Sequence, residues 1–195
     1  MADLAAVPAP PAKVTAEERR AQLIAGGGAV IILISAAAAL LPLGNGLDRA
    51  AVIGTMLVAG GLIEMIAGGL RSRNRGVAML PGALTIVAGA LLAVHPLHRF
   101  VPMVWLVIAW LGARGVVLGA ATTQTRGSVR IWTMLAAATD LTLGAILLLG
   151  LSSSTLTLTL FGITSEIIRS FAWVVALSFV ATGMLLMEVA ACERT

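Results

Sequence analysis

Charge is scarce in this chain. Only 11% of its residues are Asp, Glu, Lys or Arg, against 59% hydrophobic. A soluble globular domain carries about 25% charged and about 45–50% apolar residues. A water-exposed fold of 195 residues could not hide that excess in one core, so the solvent for most of the chain is a bilayer. Cysteine is almost missing: Cys192 is the single one, which excludes an intrachain disulfide. Placed just past the last apolar run, it reads as an ordinary thiol at the membrane surface. No Walker A loop, dinucleotide fingerprint after a strand, HExxH helix or nucleophile–base pair is present. No enzyme activity, cofactor or metal is therefore expected. Runs of period-2 alternation do not dominate, which argues against a membrane β-barrel. The triple Gly26–Gly28 lies inside an apolar run and is no phosphate loop.

What is there is a series of six apolar runs: Leu23–Leu41, Ala50–Leu70, Val77–Val94, Val101–Ala121, Ile131–Gly150 and Phe171–Ala190, each 18 to 21 residues long. A helix needs about 20 residues to cross about 30 Å of hydrocarbon. The expected fold is all-α, a polytopic membrane protein of six transmembrane helices arranged as three repeated hairpins. Residues 1–21 form a polar tail, 22–191 the transmembrane domain, and 192–195 a short C-terminus. The tail carries Pro8, Pro10, Pro11 and a mixed-charge stretch from Lys13 to Arg20, a composition that favours disorder. Thr15 and Glu18 have capping-box spacing and predict a helical turn leading into the first span. That span is expected to be retained rather than cleaved as a signal, because further spans follow it closely. Most connections are short. Leu151–Ser170 is the exception: Ser152–Thr155 punctuates the fifth run, and alternating Thr155, Thr157, Thr159 with Leu156, Leu158, Leu160 suggests an extended surface segment. Ser165 is placed to cap an early start of helix six.

The sequence pI is 11.0, yet the basic residues fall in short clusters between apolar runs, which argues against nucleic-acid binding. Lys13, Arg19, Arg20, Arg71, Arg73, Arg75, Arg126, Arg130 and Arg194 fall on one side, nine in all, and Arg49, Arg99 and Arg169 on the other, three in all. The positive-inside rule then places both termini in the cytoplasm. Arg71, Arg73 and Arg75 form the densest basic loop. Two readings stand for it: topology determination alone, or attraction of anionic headgroups at about 1 kcal/mol each. Trp105, Trp132 and Trp173 lie near span ends, as interfacial anchors do, and the deeper Trp110 reads as packing.

Small residues recur with a period of two helices. Gly28 and Ser35 match Gly82 and Gly89, then Ala137 and Gly144; Gly61 and Gly68 match Gly112 and Gly119, then Gly183 and Ala190. Residues seven apart lie nearly on one helical face, and small side chains there let helix backbones approach in lipid. Gly61, Gly68, Gly82, Gly89, Gly112, Gly119, Gly144 and Gly183 are therefore candidate helix-packing positions. Such faces are used up inside one protomer or pair protomers, so a homo-oligomer stays open.

Three ionisable residues interrupt the spans: Glu64, Arg114 and Asp140. At about 1.5 Å per residue they sit roughly 10, 12 and 15 Å below the cytoplasmic surface. A lone charge at mid-membrane costs about 2.5–3.5 kcal/mol on insertion scales. Setting Arg114 between the two carboxylates removes much of that cost, so a polar cluster joining helices two, four and five is expected. One guanidinium balances one negative charge, so one carboxyl is expected to hold a proton. The cluster reads either as interhelical glue that fixes register or as part of a proton or ion path; no polar chain continues to the outer face. On that outer side His95 and His98 flank Pro96, with Asp48 and Glu166. They are candidates for pH sensing, since His titrates near 6.5; two His three apart are a weak metal signal. Interfacial anchoring is the plainer reading. Glu188 lies close to the inner interface, within reach of water.

The hairpin repeat, Gly61-Leu62-Ile63-Glu64 with Gly68-Gly69, Gly112-Ala113-Arg114, and Asp140 followed by Gly144, resembles the HdeD-type acid-resistance membrane proteins over about residues 22–192. The long connection before helix six and the Pro-rich tail depart from that pattern. The resemblance implies a bacterial inner-membrane protein connected with acid or stress tolerance, acting through packing, lipid or protein contacts. It supplies no catalytic residue or substrate. The alternative carried alongside is a small proton or solute transporter built on Glu64, Arg114 and Asp140.

Overall fold

A computed structural model describes residues 15–40, 49–72, 74–93, 103–161 and 165–193. All regular structure among them is helical: α1 (Ala16–Leu40), α2 (Arg49–Leu70), α3 (Arg75–Ala93), α4 (Met103–Ala121), α5 (Gly127–Phe161) and α6 (Ser165–Cys192), with a single 3-10 turn at Thr122–Gln124. Each of the six contains a stretch long and apolar enough to cross a membrane. This is a multi-pass helical membrane protein. Its outer faces are apolar, as lipid requires: Leu33, Ile66, Val116 and Leu149 are all more than half exposed.

α1 starts where its cap dictates. The Thr15 N–H donates to Glu18 Oε2 at 2.8 Å, and the Glu18 N–H donates to Thr15 Oγ1 at 3.2 Å. This reciprocal pair satisfies two N–H groups that a helix start leaves open. The helix then runs from Ala16 straight into the first span.

α5 departs from the sequence expectation. It does not stop at Gly150; it continues through Ser152–Thr155 to Phe161, and α6 opens at Ser165. The alternating Thr and Leu residues are therefore helical, not extended. A helix closes its main-chain hydrogen bonds within the segment, whereas a lone extended segment at a membrane has no partner strand. At 35 residues, α5 is about 52 Å long, well beyond the hydrocarbon thickness.

The helices close into a ring in sequence order, with α1 against α6 completing it. The tightest faces join α2 to α3, α4 to α5, and α6 to α1. These are contacts between successive hairpin repeats rather than within them. Glycine explains two of the three. A Cβ on Gly61 would lie 2.8 Å from the Gly82 carbonyl oxygen, one on Gly89 2.6 Å from that of Gly54, and one on Gly68 2.5 Å from that of Ala78. The α2–α3 seam is thus backbone on backbone at three points, seven residues apart along α2. The α1–α6 seam has one such point, where a Cβ on Gly28 would sit 2.7 Å from the Gly183 carbonyl oxygen. The α4–α5 seam is built differently. Gly112 and Gly119 face open space, so neither packs a neighbouring helix. The close approach falls on Gly115, whose Cβ would meet Leu141 Cγ at 2.7 Å, and Gly144 makes an ordinary contact with Leu111. Arg114 accounts for the shift: burying its guanidinium turns the Leu111–Gly115–Leu118 side of α4 inward, which carries Gly112 and Gly119 off the seam.

The turns after α2 and after α4 meet the two chain-terminal helix ends at one end of the molecule. Asn74 adopts a left-handed φ of 54° and donates from Nδ2 to the Gln124 carbonyl at 3.2 Å. Ser72 donates from its N–H and Oγ to Glu193 Oε1 at 3.0 and 2.9 Å. Ser128 Oγ donates to Glu188 Oε1. Arg75 Nε donates to the Arg71 carbonyl at 2.6 Å. This is the end that carries most of the arginines.

Gly61→Leu should overpack the α2–α3 seam and cost at least about 1–3 kcal/mol. Gly112→Ala, on an open face, should be neutral or gain up to about 1 kcal/mol of helix propensity. Thermal unfolding in detergent compares the two directly; equal effects would reject the assignment of the seams.

Candidate functional site

The site is built around one side chain, Arg114 on α4, which has no exposed surface. Its NH1 donates to Asp140 Oδ2 at 2.5 Å and to Ser178 Oγ at 3.0 Å. Its NH2 donates to Glu64 Oε1 at 2.9 Å and to Thr182 Oγ1 at 2.5 Å. The three residues singled out in the sequence, Glu64 on α2, Arg114 on α4 and Asp140 on α5, are thus in direct contact, and all three are buried.

α6 adds two groups that the sequence reading did not pick out. Ser178 and Thr182, one helical turn apart, are both buried against the guanidinium. Ser178 Oγ also donates to Asp140 Oδ1 at 2.6 Å, and Thr182 Oγ1 donates to the Ser178 carbonyl at 2.9 Å. The available signal was this i, i+4 hydroxyl pair in an otherwise apolar span. Hydroxyls are common in membrane helices because they bond to their own backbone, so the pair does not stand out.

The surroundings hold the guanidinium in place. Its carbon lies 5.9 Å from the centre of the Trp110 ring, within range of a cation–π contact. Trp110 packs edge-on to Phe179 with centroids 6.4 Å apart, and donates from Nε1 to Thr85 Oγ1 at 3.2 Å. Thr85 in turn donates to the Pro81 carbonyl at 2.9 Å. α3 is thereby tied to the site through Trp110. Phe179 sits flat on Gly60, where a Cβ would come within 2.7 Å of its ring.

Two buried polar atoms in the cluster lack a hydrogen-bond partner: Glu64 Oε2 and Arg114 Nε. Asp140, by contrast, accepts at both oxygens. Below Glu64, toward the arginine-bearing end, is a small cavity of about 30 Å³ lined by Glu64, Val77, Pro81, Thr133 and Thr182 among others. Arg71 and Thr125 line this cavity and also a vestibule of about 850 Å³ that opens at the arginine-bearing end. Glu17, Arg20, Arg126, Cys192 and Glu193 share the vestibule wall. Burial lowers the pKa of Arg71, with the charges of Glu193 and Glu64 acting in the opposite direction.

The remaining candidates stand apart. His95, His98, Asp48 and Arg73 lie outside the described residues, as do the side chains at 151–172, Glu166 included. Among the described residues no group of three or more His, Cys, Asp or Glu is placed to hold a metal ion. Trp105 and Trp173 are about half exposed on the outer faces, while Trp110 is buried. Comparison with family models, with curated proteins and with solved structures finds no match for this chain.

Arg114→Ala strands buried carboxyls without a counter-charge and should cost about 3–5 kcal/mol. A double-mutant cycle on Glu64→Gln and Asp140→Asn should give a coupling of about 0.5–3 kcal/mol. Thermal unfolding in detergent measures both. Small, additive effects would show that the contacts carry no energy.

Proposed function

We propose that this chain is a non-enzymatic protein of the bacterial inner membrane, akin to the HdeD-type acid-resistance proteins, that works through its packing and its contacts with lipid and protein. In this reading the arginine-bearing end faces the cytoplasm, the orientation that the nine-to-three distribution of basic residues favours. The basic loop that carries Arg71, Arg73 and Arg75 then lies on the side of the anionic headgroups, with Arg75 exposed to them.

One observation carries the reading: Arg114 is sealed, with its four terminal N–H bonds directed at groups from α2, α5 and α6. A guanidinium held this way fixes the rotation and depth of four helices, and it has no slack for a passing solute. On the far side of the cluster the described buried positions include Leu57, Val107, Leu143 and Val174, and the buried Ser35 hydroxyl there donates to its own helix at the Ile32 carbonyl. This apolar layer is a poor continuation for ions. The role is mechanical: a bundle that keeps its shape when the outside is acidic, because among the described residues the buried charged cluster opens only toward the arginine-bearing end.

The second reading, a small proton or solute transporter, draws on the cavity below Glu64. Purified protein in liposomes separates the two. With a pH gradient imposed from the acid or the neutral side, proton flux should match that of protein-free vesicles. Flux above that level, lost in a folded Asp140→Asn variant, would overturn the mechanical reading in favour of transport.

A further inference from the structure

We propose that Glu64 is a proton-binding site loaded from the arginine-bearing end, through the water-sized cavity between it and the vestibule. The charge count comes first. Two carboxylates and one guanidinium would leave a net negative charge sealed in hydrocarbon, a state that is expensive to bury. One proton removes it. The hydrogen bonds say which oxygen takes that proton. Both Asp140 oxygens accept, from Arg114 NH1 and from Ser178 Oγ, as an ionised carboxylate does. Glu64 accepts only at Oε1, and its buried Oε2 is without a partner. Oε2 is the one carboxyl oxygen in the cluster free to carry a hydrogen.

The cavity supplies what that hydrogen needs. At about 30 Å³ it has room for a water molecule. Pro81 lies on its wall inside α3. Proline has no N–H, so Val77, four residues earlier and also among the lining residues, has a carbonyl without its i+4 helical donor. A water in the cavity would accept from Oε2–H and donate to that carbonyl, satisfying both. The step is simple: the Glu64 carboxylate takes a proton from hydronium in the cavity, and water remains.

Among the described residues, access opens toward one end. Arg71 and Thr125 belong to both the cavity and the vestibule, whereas the described buried positions on the far side of the cluster are mainly aliphatic, Leu57, Val107, Leu143 and Val174 among them, with the Ser35 hydroxyl bonded to its own helix. The charged and titratable groups around Glu64 are Arg114 from α4, Asp140 from α5 and Arg71 at the end of α2, with Glu193 at the end of α6 facing Arg71. Among the described residues α3 presents none to the cavity. A proton on Glu64 therefore exchanges through the cavity and the vestibule. This holds whether or not protons pass onward, so it stands apart from the mechanical reading above.

Infrared spectroscopy of the full chain in lipid bilayers tests it. At neutral pH a carboxylic-acid carbonyl band should be present; it should shift when the protein is made with heavy-carbon glutamate, stay put with heavy-carbon aspartate, and vanish in Glu64→Gln. The labelled wild-type protein gives the assignment even where the variant folds poorly. Cys192, the single cysteine, sits in the vestibule wall. A bulky maleimide attached there should slow deuterium exchange of the band several-fold, and the same reagent should leave Cys192→Ser unchanged. A band that follows the aspartate label, no acid band at neutral pH, or exchange indifferent to the maleimide would each overturn the proposal. Proton flux in the liposome experiment would overturn the mechanical reading and leave this site in place.

Discussion

A guanidinium cannot shed its charge to enter hydrocarbon, and everything at the centre of this protein follows from that. Arg114 has a solution only if anions and hydroxyls reach it from several helices at one depth. α2, α5 and α6 each deliver them. The requirement is geometric as well as electrostatic. The fork of terminal N–H groups has fixed directions, so the partners must arrive at set angles. That fixes the rotation of each helix about its axis, a degree of freedom that apolar packing in lipid leaves weakly determined.

The glycine seams solve a different problem. Partners from three helices must come within hydrogen-bond reach of one side chain, which demands a narrow bundle. Close backbone contact along α2–α3 and at the Gly28–Gly183 crossing of α1 with α6 draws the ring in. At α4–α5 the salt bridge between Arg114 and Asp140 spans the same interface, and the glycine approach there is the single one at Gly115. Electrostatics and small-residue packing thus share the task, seam by seam. A pseudo-repeat of three hairpins is preserved in outline while one of its three seams is held by charge.

Much of this was legible in the sequence for definite reasons. Spans are written in length and hydropathy, and all six are found near their expected places. The meeting of Glu64, Arg114 and Asp140 follows from depth: three charges at similar distances from one surface have few other ways to be neutralised. Rotation was not legible. The seven-residue spacing of Gly112 and Gly119 says that they share a face, not that the face is covered, and Arg114 decided the matter by turning α4. Nor was the length of α5 legible, because Ser152–Thr155 carries the residues of a helix stop. Near a membrane the demand for local main-chain hydrogen bonds overrides that weak preference. Ser178 and Thr182 escaped because a hydroxyl on a membrane helix is ordinarily satisfied by its own backbone, as Thr182 also is here.

The cluster is not symmetric across the membrane, and this asymmetry is its most informative property. Toward the arginine-bearing end lie Thr133, Thr182, Arg71 and Thr125, then the open vestibule; toward the other end the described buried side chains are mainly aliphatic, with the Ser35 hydroxyl bonded to its own helix. A cluster serving only to hold helices together would gain stability from a dry, fully paired surround on both sides, and a helix without Pro81 would close one more hydrogen bond. Instead the bundle keeps a break in the α3 ladder and an unpaired carboxylate oxygen beside the same small cavity. These two deficits answer one another across a space the size of a water molecule. Each alone would be a defect; here both fall among the residues that line one small, mostly apolar cavity.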